Sequence, residues 1–162
     1  MTIAVGDALP AATFKTKTPD GLQDVTTAEL FGAGRVALFA VPGAFTPTCH
    51  ARHVPSFIEN MDALKAKGVE KVVCVSVNDP FVMGAWGEAT GAAAAGITMV
   101  ADPTAAFSQA LGLTFDGAGA GLGVRSQRYS MLVENGVVKA LNVEDAPGEA
   151  TVSTGGALLA QL

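Results

Sequence analysis

A chain of 162 residues that is 49% hydrophobic and 15% charged has the length of one domain, residues 1–162, around a single core, far from the charge-rich composition of disordered segments. Its formal net charge of -5, with 10 scattered Lys and Arg, excludes a nucleic-acid backbone or an anionic membrane surface as natural partner, and no stretch approaches the roughly 18 apolar residues of a membrane span. Two cysteines, Cys49 and Cys74, are too few for a disulfide scaffold; with no basic-then-apolar segment after Met1, they imply a soluble, cytoplasmic protein whose thiols stay free for chemistry.

The first clear element is the apolar run from Arg35 to Val41, a buried strand that stops at Pro42-Gly43. From Thr46 the period changes. Pro47 suits the first helical position, and Val54, Phe57, Ile58, Met61 and Leu64 recur at three-and-four spacing toward Gly68, predicting one amphipathic helix of about five turns. Lys71 to Val77 reads as a second strand, after which Asn78-Asp79-Pro80 caps a helix carrying Phe81, Val82, Trp86 and Ala89. A third strand spans Ile97 to Ala101, and a short helix runs from Ala105 to Leu111. The Gly-Ala run at 117–123 is a mobile loop by composition; it lacks the third glycine and the following helix of a dinucleotide fingerprint, which sets nucleotides aside. Tyr129 to Val133 and Val137 to Val143 flank Glu134-Asn135-Gly136, a tight-hairpin signal, and a last helix covers Thr154 to Leu162. Parallel strands joined by helices, then an antiparallel hairpin and a closing helix, predict an α/β, thioredoxin-like fold: a mixed central sheet with helices on both faces and an N-terminal extension.

The segment from Val41 to His50 sets Cys49 in the first turn of a helix that follows a buried strand directly. Unpaired N–H groups and the positive end of the helix dipole favour an anion there, and the thiolate is the nucleophilic form of cysteine. A free thiol is about 3% ionised at pH 7, so complete ionisation gains only about thirtyfold. Fast attack on an electrophile needs donors that stabilise charge on the leaving atom as well. Thr46, one turn before Cys49, offers a hydroxyl; a cationic partner has to come from elsewhere in the chain.

Pro42, Thr46 and Cys49 spell Pro-x-x-x-Thr-x-x-Cys, and the chain resembles the peroxiredoxins on that motif. It resembles the type 5 branch with its plant type II forms through Val41–Cys49, Cys74–Met83, Ala85–Gly87, Ala101–Thr104, Gly121–Ser126 and Asn142–Glu144, six segments in register over nearly the whole chain. The resemblance implies a thiol peroxidase for hydrogen peroxide and alkyl hydroperoxides. Cys49 would form the sulfenic acid, Thr46 and an arginine would bind the peroxide, and Pro42 would shield the pocket. The family arginine directly precedes an aromatic residue that opens a strand, which is Arg128 before Tyr129; Arg125 is the competing choice.

Cys74, in an apolar run typical of a central strand, reads either as a small core residue or, by the resemblance to plant members, as a resolving thiol. The resemblance implies no bound cofactor and recycling by glutathione with glutaredoxin or by thioredoxin, and it implies a homodimer that packs aromatics such as Phe45, Phe81 and Trp86 near the nucleophile. His50 and His53 are expected near the active-site surface rather than in a metal site with Cys49, since no further His or Cys completes one. The alternative function is a redox sensor or relay whose sulfenic acid passes oxidation to a partner. A general disulfide oxidoreductase is disfavoured by the missing Cys-x-x-Cys pair.

Overall fold

In the computed structural model, which describes residues 1–162, the chain opens with β1 (Thr13–Thr18), β2 (Gly21–Thr26) and the short helix α1 (Thr27–Phe31). The alternating core then follows: β3 (Arg35–Val41), α2 (Val54–Ala66), β4 (Lys71–Ser76), α3 (Pro80–Thr90), β5 (Thr98–Ala101) and α4 (Ala106–Leu111). After the small strands β6 (Thr114–Asp116) and β7 (Val124–Ser126) come the hairpin strands β8 (Tyr129–Glu134) and β9 (Val137–Val143), and then α5 (Gly155–Leu159). Seven strands form one mixed sheet in the order β2-β1-β5-β4-β3-β8-β9, with β6 and β7 as a separate ribbon.

Strands β3, β4 and β5 are parallel and central, so they are covered on both faces and read as unbroken apolar runs. Alternation along β3 divides the interior in two. Ala37, Phe39 and Val41 face a cluster built with Phe57, Met61 and Leu64 of α2, Trp86 of α3 and Leu158 of α5. Val36, Leu38 and Ala40 face the opposite cluster, with Leu30 and Phe31 of α1 and Phe107 and Leu111 of α4. Each fully buried Phe or Leu in these layers stabilises the fold by roughly 1.5–3 kcal/mol over leaving it exposed. Val54, Phe57, Met61 and Leu64, the apolar positions that announced α2, are its buried face.

The N-terminal extension is the β1–β2 hairpin, which lengthens the sheet beyond β5. Only Phe14 of β1 is buried, between exposed Thr13 and Lys15, so this edge strand carries almost no apolar signal. The β8–β9 turn has Asn135 at φ 48° and Gly136 at φ 81°, the two positive angles a type I′ hairpin requires. Gly155 answers a different need. A side chain there would meet the Ser56 carbonyl oxygen at 2.4 Å, so only glycine lets the start of α5 close onto α2. The Gly-Ala run connects β6 to β7 and holds a single 3-10 turn, Ala118–Ala120.

Candidate active site

Beyond Val41 the chain turns through Pro42 to Phe45, and Phe45 takes φ 61°, a left-handed conformation that costs a bulky residue energy. Gly43 makes this turn possible, because a Cβ at that position would lie 2.5 Å from an Arg125 nitrogen and 3.1 Å from the Thr46 methyl. The helix then begins at Pro47, as its sequence predicts, but it is not one continuous α-helix. Cys49–His53 is a π-turn in which the Val54 N–H donates to the Cys49 carbonyl. Pro55 supplies a reason. It has no N–H for the Ala51 carbonyl and its ring crowds that group, so the backbone widens by one residue before regular α2 continues.

Cys49 is fully buried. Arg128, the last residue before β8, is 2% exposed, and its Nη2 donates to Cys49 Sγ at 3.1 Å. The same guanidinium donates from Nη2 and Nε to the Pro147 carbonyl at 2.8 and 3.2 Å, and from Nη1 to His53 Nδ1 at 3.1 Å. One N–H, on Nη1, is left uncommitted out of the five a guanidinium offers. Arg125 lies elsewhere. It donates to the Pro42 and Leu122 carbonyls at 3.1 and 2.9 Å, bracing the turn that carries Thr46.

His53 is not a surface residue; it is fully buried behind Cys49, one turn along the same helix. Its Nε2 meets the Ser153 carbonyl at 2.9 Å, which requires a proton on Nε2 and leaves Nδ1 as the acceptor for Arg128. Burial and, next, the Arg128 charge push its pKa down to about 3, so the ring is neutral. Ser153 is held in turn by Glu144, whose carboxylate accepts from the N–H and hydroxyl of both Thr151 and Ser153 at 2.6 to 3.0 Å. Burial of Glu144 works against its charge, but the hydrogen bonds from Ser153 and Thr151 outweigh it and hold the group at about 2. Sequence reasoning missed both roles, because nothing near positions 53 or 144 shows that they converge on residue 128.

These two groups make an acid-stability prediction. The unfolded chain binds protons that the native state refuses, His53 between its ordinary 6.5 and about 3 and Glu144 between 4.5 and about 2, so stability falls as pH drops through those windows. One such group imposes at most about 1.4 kcal/mol per pH unit. Urea unfolding at pH 7, 6, 5 and 4 should show the midpoint falling throughout, with a flatter profile for His53→Gln. A wild-type midpoint independent of pH in this range contradicts the assignment.

The remaining residues take distinct places. Pro42 is buried, and Thr46 is half-buried with its hydroxyl donating to the Gly43 carbonyl at 2.7 Å. His50 is half-buried and accepts at Nδ1 from Trp86 Nε1 at 3.1 Å, with the Phe45 ring 5.9 Å away. Trp86 is fully buried, whereas Phe45 and Phe81 are 52% and 58% exposed. Cys74 lies in β4 between Phe39 of β3 and Met99 of β5, on the Cys49 side of the sheet, and both cysteines are free thiols. Burial, then the nearness of Cys49, pushes the Cys74 pKa well up, which keeps that sulfur protonated.

The redoxin family profile matches residues 4–159. "Peroxiredoxin-2E-2, chloroplastic" of Oryza sativa subsp. japonica is 50% identical over 156 residues, covering 94% of this chain and 69% of the relative. Peroxiredoxin-2B of Arabidopsis thaliana is 45% identical over 161 residues, 99% of this chain and 98% of its own. Among solved structures, reduced Prx3 of Vibrio vulnificus in complex with hydrogen peroxide superposes with a TM-score of 0.93 at 52% identity, covering 99% of both chains. The cytoplasmic expectation is contradicted by these relatives: the rice protein is named chloroplastic and Arabidopsis Peroxiredoxin-2F mitochondrial. Composition and charge describe the folded domain, whereas compartment is written in targeting segments read by receptors. Matched from end to end in sequence and in fold, the chain belongs to the redoxin family and within it to the peroxiredoxins of the plant type 2 kind, thiol-dependent peroxidases.

Proposed function

We propose that Cys49 is the peroxidatic residue and that Arg128, Thr46 and Pro42 build the site in which it reduces hydrogen peroxide and alkyl hydroperoxides. The observation that carries this reading is the 3.1 Å bond from Arg128 Nη2 to Cys49 Sγ, between two buried side chains. A buried guanidinium stays charged and stabilises the thiolate with a directed donor. Thr46 gives its own proton to Gly43, so its lone pairs are free to accept from the O–H of an incoming peroxide. The uncommitted Nη1–H of Arg128 is the donor available to the peroxide oxygens. The thiolate attacks one oxygen, the O–O bond breaks, and the departing alkoxide or hydroxide takes a proton from solvent to leave as alcohol or water; Cys49 becomes a sulfenic acid. Buried Pro42 keeps bulk water from the sulfur.

Regeneration belongs to an external thiol in this proposal. Glutathione with glutaredoxin, or thioredoxin, condenses with the sulfenic acid to a mixed disulfide and water, and a second thiol releases Cys49. Cys74 is a poor resolving thiol, because it is protonated and locked between two neighbouring strands. Bringing the two Cα atoms under about 7 Å in bonding geometry would mean melting part of the sheet or of the helix at Cys49. Cys74→Ser is therefore expected to keep at least about half of the wild-type turnover with glutaredoxin and glutathione. Peroxide consumption by both proteins, run with each reductant side by side, tests the whole scheme. A single turnover with no recycling by either reductant would instead favour the sensor reading, and a dead Cys74→Ser variant with a stoichiometric Cys49–Cys74 bond in the oxidised wild type would reverse the view of Cys74. A homodimer completes the proposal, supported by the exposed rings of Phe81 and of Phe45, the latter 5.9 Å from His50; light scattering at high micromolar concentration reads it directly.

A further inference from the structure

The segment from Glu144 to Ser153 meets the proposed site at several points. The Glu144 N–H donates to the Arg128 carbonyl at 3.0 Å, and the Pro147 carbonyl takes two of the guanidinium donors. The Gly148 carbonyl accepts from the Thr48 hydroxyl at 3.0 Å, and the Ser153 carbonyl fixes the tautomer of His53. Residues 144–153 thus form a strap over Arg128, and the strap decides where the guanidinium points.

Hydrophobic packing does not explain the shape of this strap. Asp145, Pro147, Gly148 and Glu149 are exposed, and Ala150 is the one buried apolar side chain along it. Its first residues border an open cleft of about 180 Å³ lined by Phe115, Gln127, Arg128, Glu144 and Pro147 among others. The feature that closes the strap is the Glu144 carboxylate. Its Oε2 accepts from the Thr151 N–H, the Ser153 N–H and the Ser153 hydroxyl, and its Oε1 accepts from the Thr151 hydroxyl. Bonds to an ionised acceptor are about twice as strong as neutral ones, and this carboxylate is ionised at any physiological pH.

We infer that Glu144 is a positioning residue for the peroxidase reaction: by clasping Thr151 and Ser153 it closes residues 144–153 into a strap whose carbonyls aim Arg128, directly through Pro147 and through His53 by way of Ser153, at Cys49. The inference rests on the reading of Cys49 and Arg128 given above. Glutamine at position 144 is the informative replacement. It keeps the shape, and its amide oxygen can take the three donors now on Oε2, but its NH2 faces the Thr151 hydroxyl, which must turn round to accept, and the charge that orders all four donors is gone. The guanidinium then samples other directions, and sulfenic acid formation slows although Glu144 touches neither sulfur nor peroxide.

Stopped-flow oxidation of the reduced protein by hydrogen peroxide measures this, with the single Trp86 as intrinsic probe. Glu144→Gln should lower the second-order rate constant about tenfold or more, and Ser153→Ala, which removes one hydroxyl donor but keeps the carbonyl, by about two- to fivefold. A residue that acts through Arg128 has nothing to act on once Arg128 is gone, so Glu144→Gln/Arg128→Ala should be no slower than Arg128→Ala alone. A purely structural role gives the opposite pattern, with the two losses multiplying. If Glu144→Gln does not fold, Ser153→Ala with its Arg128→Ala double carries the same comparison. A slow Arg128→Ala beside an unimpaired Glu144→Gln or Ser153→Ala, or losses that multiply, overturns the strap alone. An unimpaired Arg128→Ala overturns the reading of the site and the strap with it.

Discussion

Cys49→Ser is expected to leave no peroxide reduction above the uncatalysed background, a loss of at least about 10⁴-fold and well inside the total of about 10⁶-fold or more that enzymes typically supply. Serine fills the same space and can still accept from Arg128, so the fold should survive and the deficit will be chemical. A hydroxyl becomes a nucleophile only beside a general base. The buried imidazole behind Cys49 cannot act as one, since His53 Nε2 is bound to the Ser153 carbonyl and its Nδ1 to Arg128. Cys74, still present in the variant, cannot substitute, because it is fully buried and burial keeps its thiol protonated. Peroxide consumption assayed with excess thiol, together with a thermal melt to show the fold is intact, decides the matter. Turnover that scales with the concentration of the variant would move the nucleophile elsewhere.

Arg128→Ala should slow sulfenic acid formation by about 10²- to 10³-fold, the loss typical of one preorganised donor to the charge that develops in the transition state. Two effects combine. The thiolate loses its directed donor at 3.1 Å, and the peroxide loses the remaining Nη1–H. Arg128→Lys restores the charge but not the fork: an ammonium has no planar pair of nitrogens to bridge Cys49, His53 and Pro147, so most of the loss should persist. Arg125→Ala is the comparison. It removes a brace on the Pro42 and Leu122 carbonyls without touching sulfur and should cost about tenfold or less. Rates of oxidation by hydrogen peroxide in the three variants rank them, and an Arg125→Ala slower than Arg128→Ala would mean that the wrong arginine has been assigned.

Most elements of the central fold, and the cysteine we propose as nucleophile, are legible in the order of residues alone. Apolar runs covered on both faces mark β3 and β4, three-and-four spacing marks α2, and Asp79-Pro80 and Asn135-Gly136 mark a helix start and a hairpin, because each of these signals is local in the chain. The position of Cys49 at a helix start after a buried strand is equally local, and the Pro-x-x-x-Thr-x-x-Cys spacing names its neighbours. The edge hairpin stayed hidden since exposed strands with one buried residue carry no period strong enough to read. The resemblance already favoured Arg128 over Arg125, but it took the folded arrangement to bring that guanidinium against Cys49, to withdraw His53 from the surface and to join Glu144 to the site. Those partners are 75 and 79 residues apart for Arg128 with His53 and Cys49, and 100 apart for His53 with Ser153. Contacts of that separation are set by how β8 pairs with β3 and how the strap folds back over its end. Side-chain period and turn chemistry are blind to both, because they act over a few residues while the guanidinium is aimed by carbonyls from another part of the chain.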